Sequence, residues 1–367
     1  MTVTLPAMKL LSSIVSGAAL LVTTACNTAA IVQSASAGEE VPQGIILVVG
    51  DGMGTAHFTL AKLLRGDQFQ IGRLSEAGLV ATASASARAT DSAAAATAYA
   101  TGIRTTNGFL GVDPAGVAHP TVVEVAESRG LATGLVSTAK FGDATPAAFA
   151  THVQNRRDTP EIARQLVAQG IDVISSTGLE WFGHDGAPSL EQLASDGDYL
   201  PVRSAAELQS ARSGPVLAVF RSGELDSDSP DIPLHRLASW TINRLAAAPD
   251  GFFLLIEHEG TDTASHHNDL AALKSSLLAL DETVGVVMDF ALKHGDILVI
   301  VTGDHETGGL QIGGSWSEPE DQWSSRDHTG EAVPIFADGP GAEAFDGFKE
   351  NTEVGNALLS FVRKMGN

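Results

Sequence analysis

Acidic and histidine side chains follow three apolar runs of the sequence, in positions where they could bind metal ions. They are Asp51 after the first run, Glu257 and Asp262 after the second, and Asp304 and His305 after the third. Carboxylates that converge without a cation repel one another and are driven to protonate. Carboxylate and imidazole groups together suit catalytic zinc, whereas carboxylate, hydroxyl and water oxygens suit magnesium. If the three runs are neighbouring strands, these side chains predict a metal site.

The spacing of two acid and histidine pairs bears on this metal site. His266 lies four residues after Asp262, so both side chains could share one face of a helical turn. His305 directly follows Asp304, and adjacent residues face apart in regular structure, so this pair needs a turn to converge. Each pair alone is better explained by surface or hydrogen-bonded residues than by metal ligands, because the chain has 11 histidines. Their common position after apolar runs favours the metal interpretation.

A serine that could act as a nucleophile stands where an alanine-rich helix is expected to begin. Ser92 follows Asp91 and precedes a run of alanines, so the pair is also explained as an ordinary helix N-cap. The free N–H groups and the dipole at a helix N-terminus favour a phosphate group and a deprotonated oxygen. A nearby zinc ion could activate the hydroxyl without a His-Asp triad. Both interpretations of Ser92 stay open at this point.

A further helix is expected to begin at Thr145, with Thr145 as N-cap and Pro146 in the first turn. Arg156 would lie about three turns further on, near the end of that helix. Composition alone does not separate Arg156 from its neighbour Arg157, and a surface role explains either residue.

The remaining sequence indicates the elements that position these residues. Continuous apolar runs are typical of strands covered on both faces of a parallel sheet, and they lie at residues 44–49, 131–137, 171–175, 216–220, 251–256, 297–302 and 333–337. Helical patterns lie between them, at residues 55–64, 92–99, 121–128, 160–169, 234–247, 269–293 and 353–364. This alternation predicts a single doubly wound α/β domain, with a mostly parallel sheet and helices on both faces. Ligands of such folds bind beyond the carboxyl ends of the strands.

The N-terminal segment, residues 1–37, has the pattern of a bacterial export signal. A lysine precedes the apolar residues 10–22, a run too short to span a membrane, and small residues follow. Residues 35–37 fit ordinary signal cleavage, whereas residues 24–26 resemble a lipoprotein site with Cys26 as the lipid attachment point. We expect a periplasmic or extracellular protein, with the membrane contacted only through an N-terminal lipid.

Residues 38–367 are then expected to form the single folded domain. Residues 176–231 have fewer periodic cues and many Gly, Pro, Ser and acidic residues, so we expect a loop-rich excursion there.

Composition excludes several classes of protein. The hydrophobic fraction of 44% is too high for a disordered chain. The net charge of −22 argues against a nucleic-acid-binding surface, which must be basic to displace counterions from phosphates. Cys26 is the only cysteine, which excludes intramolecular disulfides and Cys-rich zinc modules.

Taken together, the motifs resemble those of the alkaline phosphatase family, in the same order along the chain. They are residues 51–54, residues 90–94, residues 143–148 with His152 and Arg156, residues 257–266, residues 304–309 and residues 328–330. They span nearly all of the expected folded domain. The resemblance implies hydrolysis of phosphate monoesters of broad range, through a phosphoserine on Ser92.

The resemblance also implies two zinc ions and one magnesium ion. Asp262, His266 and His328 would hold one zinc ion, and Asp51, Asp304 and His305 the other. Asp51, Thr145 and Glu257 would hold magnesium. Arg156 would bind two phosphate oxygens, and a homodimer is a further expectation. His328 enters only through the resemblance, because its surroundings have the pattern of an ordinary loop.

The chain departs from the common family pattern beside these ligands. Many members have Gly after the magnesium-binding glutamate, where this chain has His258 followed by Glu259. Thr263 stands where other members have Lys, His or Trp, so a contact to phosphate is expected to be missing. Asp143 belongs to one of two common variants and could hydrogen-bond to a water molecule on magnesium.

A phosphodiesterase or nucleotide pyrophosphatase of the same superfamily is the alternative. That function predicts no arginine clamp and no magnesium site, whereas Arg156, Thr145 and Glu257 are all present. A sulfatase requires a Cys or Ser in a Cys/Ser-x-Pro-x-Arg motif, which we do not find in the sequence.

Overall fold

The computed structural model describes residues 1–2, 41–184, 187–225, 232–315 and 321–366. The described residues of Glu39–Asn367 form one compact unit, and residues 3–40 fall outside the described residues. The predictions about Cys26, the two cleavage sites and the export signal therefore lie outside the described residues and stay predictions.

The strands of the described residues contain the predicted apolar runs. They are β1 (Gly44–Gly50), β2 (Glu76–Ala81), β3 (Ala132–Lys140), β4 (Val173–Thr177), β5 (Leu200–Val202), β6 (Val216–Val219), β7 (Phe252–His258), β8 (Ile297–Gly303), β9 (Glu306–Thr307), β10 (Leu310–Gln311), β11 (Gln322–Trp323), β12 (His328–Thr329), β13 (Val333–Asp338) and β14 (Gly347–Glu350).

The helices lie mostly between these strands. They are α1 (Thr55–Arg65), α2 (Ser92–Thr101), α3 (Val122–Ser128), α4 (Ala144–Ala148), α5 (Thr159–Ala168), α6 (Leu190–Asp196), α7 (Ala205–Ser210), α8 (Leu234–Leu245), α9 (Gly260–His267), α10 (Leu270–His294) and α11 (Asn351–Lys364). None of the described helices is both long enough and apolar enough to cross a membrane.

Ten strands form one sheet in the order β14-β2-β13-β8-β1-β7-β3-β4-β6-β5. Strand β1 is parallel to β7 on one side and to β8 on the other, and β13 is antiparallel to both of its neighbours. Successive side chains of β1 enter opposite cores: Ile45 and Leu47 pack with α2 and α11, whereas Ile46 and Val48 pack with α8 and α10. The prediction of a doubly wound, mostly parallel sheet with helices on both faces is confirmed.

The strands that lack a continuous apolar run were not predicted from the sequence. Strand β2 alternates between buried and exposed residues, and the residues of β14 are largely exposed at the edge of the sheet. The described part of the segment 176–231, expected to be rich in loops, contains the helices α6 and α7. It also contains strands β5 and β6, which extend the other edge of the sheet.

The helix expected to run from Thr145 to Arg156 is shorter, and that prediction is wrong. Helix α4 begins at Ala144, with Asp143 as its N-cap, and ends at Ala148. The chain then turns to an extended conformation, because Val153 forms backbone hydrogen bonds with Leu110 in both directions. Arg156 consequently lies in a turn between α4 and α5.

Candidate active site

The carboxyl ends of three adjacent strands bring the acidic side chains together. In the register of β1 with its two neighbours, Gly50 lies beside His258 of β7 and beside Gly303 of β8. The residues at or just after these strand ends therefore meet at one edge of the sheet. Asp51, Glu257 and Asp304 lie there and are each at most 2% exposed.

Asp262, His266 and His328 form the first cluster, with one ligand atom from each residue within 4.8 Å of the others. Asp262 Oδ2 lies 3.2 Å from His266 Nε2, and Asp262 Oδ1 lies 3.6 Å from His328 Nε2. His266 Nδ1 and His328 Nδ1 each contact a backbone carbonyl, of Arg326 and Thr90. A histidine that donates from Nδ1 presents the lone pair of Nε2 to a metal, so the donor atoms of this cluster fit a bound metal ion.

Asp51, Asp304 and His305 form the second cluster. His305 Nε2 lies 3.5 Å from Asp51 Oδ1 and 3.2 Å from Asp304 Oδ2. The other oxygen of Asp304 accepts hydrogen bonds from the N–H groups of Gly52 and His305, which closes the turn that this Asp-His pair requires. Asp51 Oδ1 and Asp304 Oδ2 are buried without a hydrogen-bond partner among the described residues. Buried orphan oxygens beside an imidazole fit a bound cation.

Asp51, Glu257 and Glu259 form the third cluster. Ser137 Oγ donates a 2.5 Å hydrogen bond to Glu257, and the buried Thr145 hydroxyl lies close to the same carboxyl. The ligand atoms here are all oxygens, which suits magnesium rather than zinc. Sequence reasoning assigned Asp51, Thr145 and Glu257 to this site and gave Glu259 no role. The signal for Glu259 was its position two residues after Glu257, just beyond the carboxyl end of a predicted strand, where ligands of such folds bind.

Burial controls the ionisation of these carboxyl groups. It raises the pKa of Asp304 to about 7 and that of Glu257 to about 8, while the pKa of Asp51 rises well above its usual value through burial and the neighbouring Asp304. Burial also lowers the pKa of His305 to about 4, which keeps its imidazole neutral. A divalent cation binds neutral imidazole and ionised carboxylates. Its charge therefore stabilises the ionised form of these buried carboxyl groups.

In the first cluster, the metal-free protein favours a protonated His266 beside Asp262. The hydrogen bond to Asp262 raises the pKa of His266 to about 9. Burial alone would raise the pKa of Asp262, but the hydrogen bonds from His266 and Thr307 and the neighbouring histidines together outweigh burial, and the pKa is lowered. A metal ion at this position would displace that proton.

Ser92 begins α2 and lies beside the second cluster. Its Oγ is 3.3 Å from His305 Nε2, and the residue is 5% exposed. Asp91 is the N-cap, because its Oδ1 accepts a hydrogen bond from Ala94 N. Tyr99 anchors α2 to the sheet through a 2.8 Å hydrogen bond to the carbonyl of Gly303. The two interpretations of the motif thus fall on different residues: Asp91 caps the helix, and Ser92 faces the clusters.

Arg156 lies beside Ser92 although it is not on the expected helix. Its guanidinium donates hydrogen bonds to Asp91 Oδ2 at 3.3 Å and to Asp143 Oδ1 at 3.0 Å. Burial disfavours its charge, but Asp143 and Asp91 outweigh this and raise its pKa. The guanidinium is therefore fixed and cationic next to the helix N-terminus, where its planar fork of N–H groups can bind two oxygens of an anion.

Thr263 and Asp143 lie at the margin of the clusters. Thr263 is exposed, and its Oγ1 donates a 3.3 Å hydrogen bond to Glu259. Asp143 pairs with Arg156, and its negative charge raises the pKa of Glu257 and Glu259.

Comparison with known proteins adds to this geometry. A family model described as alkaline phosphatase matches residues 43–320 and 316–364. Streptomycin-6-phosphate phosphatase of Streptomyces griseus is 31% identical, over 92% of this chain and 94% of that protein. Alkaline phosphatase 4 of Bacillus subtilis is 28% identical, over 88% of this chain and 89% of that protein. The solved structure of alkaline phosphatase from the Antarctic bacterium TAB5 superposes with a TM-score of 0.82 at 26% identity, and covers 89% of this chain and 99% of that one.

Proposed function

The chain belongs to the alkaline phosphatase family and is a phosphatase, and we propose that it hydrolyses phosphate monoesters through a phosphoserine on Ser92. The observation that carries this proposal is the position of Ser92 Oγ, 3.3 Å from a histidine of the second cluster at a helix N-terminus. Arg156 donates a hydrogen bond to Asp91, the N-cap residue of the same helix.

We assign two zinc ions and one magnesium ion to the three clusters. The donor types support this, since two clusters combine imidazole and carboxylate and the third contains oxygen ligands alone. A solved structure of a TAB5 alkaline phosphatase variant has Mg bound in a site called M3. When bound, such cations stabilise the negative charge that develops on the attacking and leaving oxygens.

The side chains of the protein orient the substrate and accept the phosphoryl group. Arg156 and the free N–H groups at the start of α2 bind the phosphate oxygens. Ser92 Oγ releases its proton and forms a bond to phosphorus, the bond from phosphorus to the alcohol oxygen breaks, and the alcohol oxygen takes up a proton. Attack of water on the phosphoserine releases inorganic phosphate and restores the Ser92 hydroxyl.

We propose a broad range of leaving groups. A cavity of about 530 Å³ lies beside Arg156, with Asp143, Lys140 and Trp181 among its lining residues. A space of this size accommodates alcohols of different shape. Similar kcat/KM values for aryl, sugar and alkyl phosphates would support this, and a difference above ~100-fold between them would contradict it.

One assay set tests the reaction class. Purified protein is given an aryl phosphate, a bis-aryl phosphate and an aryl sulfate, with and without chelator. We expect hydrolysis of the monoester that depends on zinc and magnesium. No cleavage of the monoester with both metals supplied would refute the proposal, and preference for the diester would support the phosphodiesterase alternative.

We also propose that the protein is exported to the periplasm or beyond, and that it forms a homodimer. The pattern of residues 1–37 supports export, and mass spectrometry of the mature N-terminus distinguishes cleavage after residue 37 from lipidation of Cys26. Leu79 and Phe348 support a homodimer, because these exposed apolar side chains lie in register on the adjacent strands β2 and β14. Light scattering of the purified protein measures the oligomeric state.

A further inference from the structure

Glu259 lies among the carboxylates of the third cluster, where the family resemblance assigns no ligand. We propose that Glu259 directly binds the hard divalent cation of that site, together with Asp51, Glu257 and Thr145. The inference rests on the proposed magnesium site and adds a third carboxylate ligand to it.

The backbone at the end of β7 directs Glu259 to the site. Glu259 directly follows β7 and is the N-cap residue of α9, with helical φ and ψ of −71° and −30°. His258, the residue between Glu257 and Glu259, accepts a hydrogen bond at Nδ1 from the N–H of Gly260. A 2.9 Å hydrogen bond from Glu259 N to Thr138 Oγ1 holds the backbone in this path.

The positions of the oxygen atoms fit a shared cation. One carboxylate oxygen from each of Asp51, Glu257 and Glu259 lies within 4.8 Å of the other two. Magnesium binds its oxygen ligands at about 2.0–2.1 Å, so oxygens on opposite sides of the ion are about 4 Å apart. Three carboxylates at these separations repel one another unless a cation lies between them.

A buried hydroxyl at the third cluster gives an independent indication of a ligand. Thr145 is 1% exposed, it lies close to the carboxyl of Glu257, and its Oγ1 has no well-formed hydrogen bond among the described residues. A buried polar atom without a partner costs about 1–3 kcal/mol unless water or an ion satisfies it. An ion bound at the third cluster would satisfy this atom.

A structural role for the Glu259 side chain is not evident. Glu259 occupies the N-cap position of α9, but its side chain makes no capping hydrogen bond. Its contact with a neighbouring side chain is a 3.3 Å hydrogen bond from the exposed Thr263, which the amide oxygen of glutamine can also accept. Glu259→Gln therefore removes the negative charge and keeps the shape and the hydrogen bond.

The test measures magnesium binding directly rather than activity. Zinc-loaded wild type, Glu259→Gln, Glu257→Gln and Glu282→Gln proteins are titrated with Mg²⁺ by calorimetry, and zinc is measured by mass spectrometry. Glu282 is the matched control, because it is exposed on α10 and distant from the clusters along the chain. We expect Glu259→Gln to weaken Mg²⁺ binding by roughly tenfold or more at unchanged zinc content, and Glu282→Gln to resemble wild type.

The outcomes separate this inference from the proposed function. Magnesium affinity within twofold of wild type in Glu259→Gln, together with weakened binding in Glu257→Gln, would overturn the ligand role of Glu259 alone. Parallel loss of zinc in Glu259→Gln would also overturn it, because that result indicates general disruption. If wild type binds no third cation, this inference and the magnesium assignment both fail, while zinc-dependent monoester hydrolysis would still support the phosphatase mechanism.

Discussion

Arg156 is held between Asp91 and Asp143, so its guanidinium is oriented before a substrate binds. A monoester dianion has three non-esterified oxygens, so two can bind the arginine while the third remains for the metal clusters, whereas a diester has only two in total. We predict that Arg156→Ala lowers kcat/KM for an aryl phosphate by about 10²–10³-fold. The loss for a bis-aryl phosphate should be at least ~10-fold smaller.

Arg212 provides the control for this experiment. It is exposed between α7 and β6, and no hydrogen bond or ion pair joins its guanidinium to another described residue. Arg212→Ala should keep both activities near those of wild type. Equal losses for the two substrates in Arg156→Ala would contradict the clamp role.

Ser92 is the nucleophile of the proposed mechanism, because its Oγ attacks phosphorus. No other side chain in the proposed mechanism can take over this role. We predict that Ser92→Ala lowers steady-state turnover by at least ~10³-fold, because the covalent path is removed. Metal content should stay at the wild-type level, since Ser92 belongs to none of the three clusters. Turnover within tenfold of wild type would exclude Ser92 as the nucleophile.

The buried carboxyl groups make the effect of metals on stability depend on pH. Burial raises the pKa of Asp304 from 3.8 to about 7 and that of Glu257 from 4.5 to about 8. In metal-free protein, the stabilising contribution of their neutral forms is full below about pH 4 and is lost as the pH rises through 7 and 8. Cations stabilise the ionised forms, so the increase in Tm on adding zinc and magnesium should be larger at pH 8.5 than at pH 5.5. Differential scanning fluorimetry measures this increase, and equal increases at both pH values would contradict the assignment.

Some site residues could be predicted from local sequence patterns and others could not, for a physical reason. Asp51, Glu257 and Asp304 were accessible to prediction because each follows a buried strand, and strand ends meet at one edge of a parallel sheet. His328 and Arg156 lie in short irregular segments whose path depends on distant pairing, with β9 for His328 and with Leu110 for the residues before Arg156. No local pattern encodes such pairing.

At the scale of elements, continuous runs of apolar residues predicted the buried strands of the sheet. Strands β14 and β2, at one edge of the sheet and next to it, have no such run, and the sequence did not predict them. The strands β1, β7 and β8 are buried along their whole length, so every residue carries the signal. Strand β2 is only partly buried, and β14 has an exposed phenylalanine that a sequence pattern assigns to no core. The order of the strands in the sheet could not be predicted from the sequence either, because it depends on which face of the sheet each connecting helix crosses.

Helix α11 packs against α2 through Gly355, and this contact sets the position of Ser92. A Cβ at Gly355 would lie 2.1 Å from the carbonyl oxygen of Ala98 and 2.8 Å from the N–H of Gly102. The α2 backbone has no flexible side chain there that could move aside. We predict that Gly355→Ala destabilises the fold by about 1–3 kcal/mol, despite the higher helix propensity of alanine.

Urea unfolding and kcat/KM together test this prediction. Displacement of α2 should lower kcat/KM as well as the free energy of unfolding, because Ser92 is on the same helix. Ser360→Ala on the partly exposed face of α11 is the control and should change neither by much. A more stable Gly355→Ala protein would show that the two helices can separate without cost.

At the scale of the whole molecule, the net charge of the protein has the same sign as that of the proposed substrate. The net charge of −22 repels a phosphate dianion, while the cations and Arg156 at the site attract it at short range. The two effects differ in their response to salt, because exposed charges are screened more than buried ones.

Raising the ionic strength from about 0.01 to about 0.15 M shortens the Debye length from ~30 to ~8 Å. Over this range the repulsion by the distant surface charges weakens more than the attraction within the site. We therefore predict that kcat/KM for an aryl phosphate dianion rises with salt, and that the rise for a bis-aryl phosphate monoanion is smaller. Initial rates at substrate concentrations far below KM, with metal concentrations held constant, measure both slopes. A fall in kcat/KM with salt for the dianion would mean that the positive field of the site extends beyond the acidic surface and steers the substrate.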